Sequence, residues 1–261
     1  MQERHFNREQ YFQEQGFVTE KYVIPFINTV QEISSNITVA EIGCGEAGNL
    51  KPFIDLGCKV VGIDFSKAKI ENAAKFYVNH PYTENLTLIS DNVYNVSPDS
   101  IGNFDLIFMR DTLEHIHNQD AFLAHIKQFL KPNGIIYLSF PPWRMPFGGH
   151  QQVCESRLLS KMPYFHLLPV PLYKLVLRMF GESAPKITAL LEVKETGISI
   201  RRFKKIIAKN NYRIEKEILY LINPNYEIKF KLKVRKLPTV VNIPFIKDFF
   251  TTTCYYIVRI K

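Results

Sequence analysis

Glu41-Ile42-Gly43-Cys44-Gly45-Glu46-Ala47-Gly48 is the stretch on which the reading of this chain turns. It follows an apolar run over 37–42 that reads as a strand. It opens a segment over 47–57 that reads as a helix closed by Gly57. Gly43 and Gly45 let the backbone turn tightly and approach a ligand with no Cβ in the way. A helix beginning there also offers unpaired N–H groups. The next apolar run, 59–64, ends in Asp64, 19 positions after Gly45. A carboxylate at that strand end can accept both hydroxyls of a ribose. The combination reads as a turn built for a nucleoside.

Outward from this turn, apolar runs and helical patterns alternate. Strands are expected over 86–90, 104–109 and 135–140, with helices over 66–78, where Ser66 can cap, and over 118–130. The runs are almost continuously apolar, as in a parallel sheet covered on both faces. A basic amphipathic helix at 199–210 and strands at 212–222 and 253–260 finish the pattern. The expected fold is α/β: a doubly wound, mostly parallel, seven-stranded Rossmann-like sheet with a reversed last strand, plus a helical cap or insertion. Four regions follow: an N-terminal helical cap, 1–36, with two short helices around Gly16 that begin near Phe6; the core, 37–140; an insertion or lid, 141–198; and a C-terminal helix and strands, 199–261. Seven prolines interrupt the insertion, and Leu167, Leu168, Leu172, Leu175, Val176 and Met179 form a stripe read as cap packing or a lipid contact. Lys229, Lys231, Lys233 and Arg235 alternate with apolar residues as one basic face of a further strand.

Glu41-Ile-Gly-Cys-Gly45 resembles the first motif of the class I S-adenosylmethionine (SAM)-dependent methyltransferases, an acidic residue followed by GxGxG. Ala47 stands where the last glycine is usual, with Gly48 just after. Phe104-Asp-Leu-Ile-Phe-Met-Arg110-Asp111-Thr-Leu-Glu114-His115-Ile116 is similar to the fourth-strand motif of methyltransferases related to ubiquinone biosynthesis, and Leu130-Lys-Pro-Asn-Gly-Ile135 to their approach to the fifth strand. The resemblance covers about 37–140. It implies SAM as cofactor, with Glu41 orienting the loop and the amino-acid part, Gly43, Cys44 and Gly45 forming the turn, and Asp64 holding the ribose. It further implies Phe65 beside the adenine, Asp91 with Asn92 at its amino group, and Arg110 at the end of the fourth strand.

Methyl transfer from a sulfonium is an in-line displacement from an activated donor, so a base is needed only when the acceptor must lose a proton. Asp111, Glu114, His115 and His150 are candidate bases. Pro141-Pro-Trp143-Arg144-Met-Pro-Phe-Gly-Gly-His150 follows the fifth strand on the ligand side, and Trp143, Arg144 and His150 are candidate substrate-binding residues. The expected acceptor is a small molecule or a lipid or glycan precursor, with oxygen favoured. A nicotinamide-dependent oxidoreductase would share Asp64 but leaves Glu41 and Asp91 unexplained. A non-catalytic SAM-binding protein is a further alternative.

The net charge is +8, which suits solubility or an acidic partner, including a peripheral membrane contact. Nucleic acid is not expected. Phe140-Pro-Pro-Trp143 follows the fifth strand, whereas amino-methylating enzymes of nucleic acids carry [DN]PP[FYW] after the fourth. The N-terminus lacks an apolar signal region, and the four cysteines form no CxxC pair. Free thiols, no metal site and a cytoplasmic location are expected. The sequence sets no oligomeric state.

Overall fold

A computed structural model describes residues 7–261, so the expectation at Phe6 lies outside the described residues. Among the described residues eight strands form one sheet: β1 (Thr38–Ile42), β2 (Lys59–Asp64), β3 (Leu86–Ser90), β4 (Phe104–Arg110), β5 (Leu130–Phe140), β6 (Tyr212–Ile222), β7 (Arg235–Lys236) and β8 (Thr253–Ile260). Their order is β3-β2-β1-β4-β5-β8-β6-β7. β1 to β5 pair in parallel, and the reversed β8 runs antiparallel between β5 and β6. The seven expected strands are present with the last one reversed. The eighth, β7, is a two-residue addition at the edge.

The helices are α1 (Arg8–Val18), α2 (Ile24–Ile27), α3 (Lys51–Asp55), α4 (Lys67–Tyr77), α5 (Pro98–Ile101), α6 (Gln119–His125), α7 (Val170–Met179), α8 (Ala184–Thr196), α9 (Ile200–Lys209), α10 (Asn225–Phe230) and α11 (Lys247–Phe250). β4 explains the apolar runs. Leu106 and Phe108 enter the core on one face of the sheet, Ile107 and Met109 that on the other, and all four are fully buried. The insertion has a small core of its own around Leu159, Tyr173, Leu177 and Leu190.

Two local expectations are corrected. The N-terminal segment does not break at Gly16: α1 runs through it and continues by a π turn, Thr19–Val23, into α2. Gly16 is there for contact, because a Cβ on it would stand 3.4 Å from the Gly48 carbonyl, and one on Gly48 would stand 2.6 Å from the Phe12 carbonyl. α1 thereby seats directly on the glycine turn. The alternating basic run is not a strand over 229–234. Asn223 Oδ1 accepts from the Asn225 N–H to start α10, and Lys231 ends it in the left-handed region, leaving only Arg235–Lys236 to pair with β6. Of the stripe over 167–179, Leu168 and Val176 pack on the small core that holds the buried Tyr173 and Leu177, while Leu172, Leu175 and Met179 face outward. No helix among the described residues is long and apolar enough to cross a membrane. All four cysteines are free and buried.

Phe203 of α9 is fully buried between Phe140 (ring centroids 5.0 Å) and Tyr256 (4.5 Å), locking α9 onto β5 and β8. Phe203→Ala is expected to cost about 3–5 kcal/mol, read as a lowered urea midpoint.

Candidate active site

The parallel strands end on one side of the sheet, and the strand order reverses between β1 and β4, where folds of this kind bind ligands. Two cavities open there. The larger, about 860 Å³, is lined by Asp64, Phe65, Asp91, Asn92, Thr112 and His115, with apolar walls from Ile63, Val93, Tyr94, Phe122 and Val193. The smaller, about 260 Å³, lies between α1 and the glycine turn and is lined by Arg8, Tyr11, Gln15, Glu46, Arg110 and Asn225. Gly43, Lys69 and Asp111 line both.

Gly43 and Gly45 both hold positive φ, 77° and 56°, for different reasons. A Cβ on Gly43 would stand 2.6 Å from Thr112 Cγ2, so this glycine lets the turn pack on the end of β4. A Cβ on Gly45 would meet only the Lys69 chain, at 3.9 Å, so its backbone borders open space. The Cys44 side chain is buried and offers the cavity its backbone alone.

Asp64 joins this turn to β2. Its Oδ2 accepts from the Gly45 N–H and its Oδ1 from the Ser66 N–H, both at 2.9 Å. Ser66 stands at the N-cap of α4 as expected, yet its side chain makes no capping bond. An ionised carboxylate has about four acceptor positions, so two remain beyond these bonds. The Phe65 ring is 81% exposed. Asp91 Oδ1 accepts from the Asn92 N–H (2.6 Å) and from Asn95 Nδ2 (2.8 Å), while Asn92 Oδ1 caps the following turn at Tyr94.

Glu41 and Arg110 lie deeper. Glu41 is fully buried and lines neither cavity, and its Oε1 accepts from Asn49 Nδ2 at 2.6 Å. Burial pushes its carboxyl up to about 8, against the opposing pull of Asn49 and Arg110. Arg110 donates through Nη1 to Asn49 Oδ1 (2.8 Å) and Thr19 Oγ1 (3.3 Å), and through Nη2 to Asn225 Oδ1. It borders the smaller cavity, but most of its donors tie the turn, the N-terminal helix and α10 together.

Asp111 takes a left-handed φ of 52°, with its N–H donating to the Ser139 carbonyl at 2.9 Å. Desolvation raises its pKa despite Arg110. His115 faces the larger cavity from the turn after β4, and His150 approaches from the insertion, with ring centroids 5.0 Å apart. Burial lowers both imidazoles, with Lys69 adding to the effect on His115. His150 falls to about 4, with His115 and His166 contributing. Burial, reinforced by Asp111, pushes the Glu114 carboxyl well above the usual carboxylate range. Ligand-capable atoms of Glu114, His115 and His150 lie within 4.8 Å of one another. The sequence named these three side chains singly. Their meeting depends on the path of the insertion, which no local pattern records.

Trp143 and Arg144 are not brought to this cluster and line neither cavity. The Trp143 ring packs edge-on against His166, centroids 4.7 Å apart, under the Lys194 ammonium. Its carbonyl accepts from His166 Nε2 at 2.8 Å, and its N–H donates to the Ile198 carbonyl at 2.7 Å. Arg144 stands over the Phe249 ring and beside Asp248. Both hold the insertion against its neighbours.

A family model described as a methyltransferase domain matches residues 12–166. The chain belongs to the class I SAM-dependent methyltransferases. The ubiquinone biosynthesis O-methyltransferase of Pelagibacter ubique (strain HTCC1062) is 32% identical over 127 residues, covering 47% of this chain and 50% of the relative. That of Rickettsia canadensis (strain McKiel) is 21% identical over 208 residues, covering 76% and 79%. In the first of these matches the chain spans about half the length of the curated relative. Among solved structures, the plantazolicin methyltransferase BpumL (TM-score 0.57, 14% identity, 97% of this chain and 86% of that one) shares the fold. So does the magnesium protoporphyrin IX methyltransferase of Synechocystis PCC 6803 (0.56, 14%, 97% and 87%). The matched methyltransferase domain contains the glycine turn, Asp64, Asp91, Arg110, His115 and His150.

The buried Glu41 gives the domain a pH signature. Its raised pKa means that the folded chain keeps a proton that the unfolded chain releases near the ordinary glutamate value. Its contribution is therefore full below about pH 4.3 and is lost as pH rises through about 8. Glu41→Gln, which can keep the Asn49 bond, is expected to gain stability relative to the wild type between about pH 5 and about pH 8. The gain is at most roughly 1.4 kcal/mol per pH unit, and urea unfolding at several pH values measures it.

Proposed function

We propose that this protein transfers the methyl group of SAM to an oxygen of a small-molecule acceptor. The observation that carries the reading is the Asp64 carboxylate. Two backbone N–H bonds fix it against the Gly45 turn, and it lines a cavity beside an exposed aromatic ring and a second carboxylate, Asp91. These residues suit an adenosyl group. The two unused acceptor positions of Asp64 would take the ribose hydroxyls, Phe65 would cover the adenine, and Asp91 with Asn92 would meet its amino group. The smaller cavity, bordered by Gly43, Cys44, Gly45 and Arg110, would take the amino-acid part. Glu41 would act indirectly, by holding Asn49 and the turn behind it. When bound, SAM supplies a methyl group on a positively charged sulfur.

The chain's own residues then have three tasks. Apolar walls around the larger cavity exclude water from the methyl transfer, and the acceptor is a small molecule or a lipid or glycan precursor. His115, kept neutral at neutral pH by burial, can accept the proton of an acceptor hydroxyl. His150 stands behind it in position to orient it, and Asp111 is the second group able to take that proton. We assign 37–140 as the cofactor-binding core, 1–36 as an N-terminal cap whose helices α1 and α2 seat on it, 141–198 as the substrate-side insertion, and 199–261 as the part that completes the sheet. The names of the ubiquinone biosynthesis relatives support oxygen as the acceptor atom.

Asp64→Ala is expected to weaken SAM binding by calorimetry on the order of 100-fold, since hydrogen bonds to a charged group contribute about 1.5–3 kcal/mol each. Unchanged affinity in a folded variant would remove the ribose assignment. His115→Ala is expected to lower kcat for an oxygen acceptor by about 100-fold or more while leaving SAM affinity intact. An unaffected kcat would transfer the base role to Asp111.

A further inference from the structure

Charge is divided unevenly along this chain. Residues 199–261 hold 15 Lys and Arg against 4 Asp and Glu, whereas residues 1–198 hold 18 against 21. The positive excess is thus a property of the C-terminal part. Within it, α9 buries Phe203, Ile206 and Ile207 and leaves Arg201, Arg202 and Lys205 exposed. The segment 238–250 lies beside the first turn of this helix. Asp248 is hydrogen-bonded by the Ile200 backbone, and the Arg201 guanidinium stands 4.9 Å from the centre of the Phe245 ring.

The same segment is apolar and faces outward. Val240 is 79% exposed and Phe245 53%, and Ile243, Ile246 and Phe250 are exposed as well. Phe245 follows Pro244 and holds a left-handed φ of 69°, an uncommon state for a bulky residue, with its ring outside the core. Large apolar side chains gathered on a surface mark an interaction site rather than a solvated loop.

We infer that α9 and the 238–250 segment form a docking surface for an anionic phospholipid bilayer. Arg201, Arg202 and Lys205 would pair with headgroup phosphates, while Val240, Ile243 and Phe245 enter the boundary between headgroups and acyl chains. Charge selects an anionic partner. The exposed aliphatic side chains beside the cations select a lipid over a nucleic acid, whose binding rests on phosphate contacts and aromatic stacking platforms. The segment leads into β8, which begins opposite the end of β5, so the surface sits at the end of the sheet that carries the cavities. The Phe249 carbonyl there accepts from the Tyr164 hydroxyl of the insertion, at 3.1 Å.

Co-sedimentation of the full chain with phosphatidylcholine vesicles, with and without phosphatidylglycerol, tests this surface. Binding is expected to the mixed vesicles, to weaken with added salt, and to be at least roughly tenfold weaker on phosphatidylcholine alone. Arg201→Ala with Arg202→Ala is expected to weaken it by about 25-fold, taking about fivefold per cation. Val240→Ser with Phe245→Ser is expected to weaken it as well. Leu172→Ser with Leu175→Ser, on the outward face of α7, serves as the control and should leave binding unchanged, with circular dichroism verifying the fold of each variant. Absence of binding to the mixed vesicles, or binding that survives both surface variants, overturns the inference. So does loss of binding in the α7 control. Capture of a labelled RNA oligomer through Arg201 and Arg202, without vesicle binding, assigns the surface to nucleic acid and overturns the lipid reading.

Discussion

A guanidinium carried to the end of the central strand must have its donors met, because a buried cation without partners is costly. Arg110 meets this demand with acceptors from separate parts of the chain: Asn49 behind the glycine turn, Thr19 at the end of the N-terminal helix, and Asn225 at the start of α10. Each acceptor is neutral, so the charge is solvated by dipoles rather than cancelled. The consequence is geometric. The helix before the sheet and the helix near its far edge are both drawn over the strand ends, and the smaller cavity exists because they meet there. Arg8 pairing with Glu46, and Lys21 and Tyr22 with Glu227, close the same assembly at its rim.

Around this tie the turn itself is held from two sides. Asp64 fixes Gly45 from β2, and Asn49 connects Glu41 to Arg110 from beneath. The backbone bordering the cavities is thus preorganised by side chains that mostly do not border it. This arrangement also explains the carboxyl at Glu41, which is kept protonated to high pH by burial and serves the Asn49 amide rather than a ligand. It explains Gly16 as well, which removes a side chain so that α1 can lie on Gly48.

Much of this was legible in the sequence where one local pattern carries one local consequence. β6 and β8 coincide with the expected runs because each is rich in β-branched and aromatic residues, and β6 keeps its span through an irregularity between Ile214 and Lys216. The glycine turn and Asp64, both readable from local pattern, lie where the two cavities open. What was not legible depends on which segments come together. Gly16 reads as a helix break until the partner surface is known. That Arg110, besides bordering the smaller cavity, ties Thr19, Asn49 and Asn225 together cannot be read from the strand that carries it. Trp143 reads equally as a substrate contact or as packing of a proline-rich crossover, and its meeting with His166 and Lys194 depends on the path of the insertion. His115 and His150, 35 positions apart, meet through the same unforeseen path. The basic run over 229–236 alternates like a strand, yet Pro224 and Asn223 start a helix first.

The turn, Asp64 and the two cavities that share Gly43, Lys69 and Asp111 are proposed to form a SAM site. Calorimetric titration of the wild-type chain with SAM, with NADH as the control ligand, tests that proposal most directly. SAM binding with a Kd on the order of 1–100 µM and no heat from NADH are expected. A folded chain that ignores SAM, or that binds NADH in its place, would contradict it.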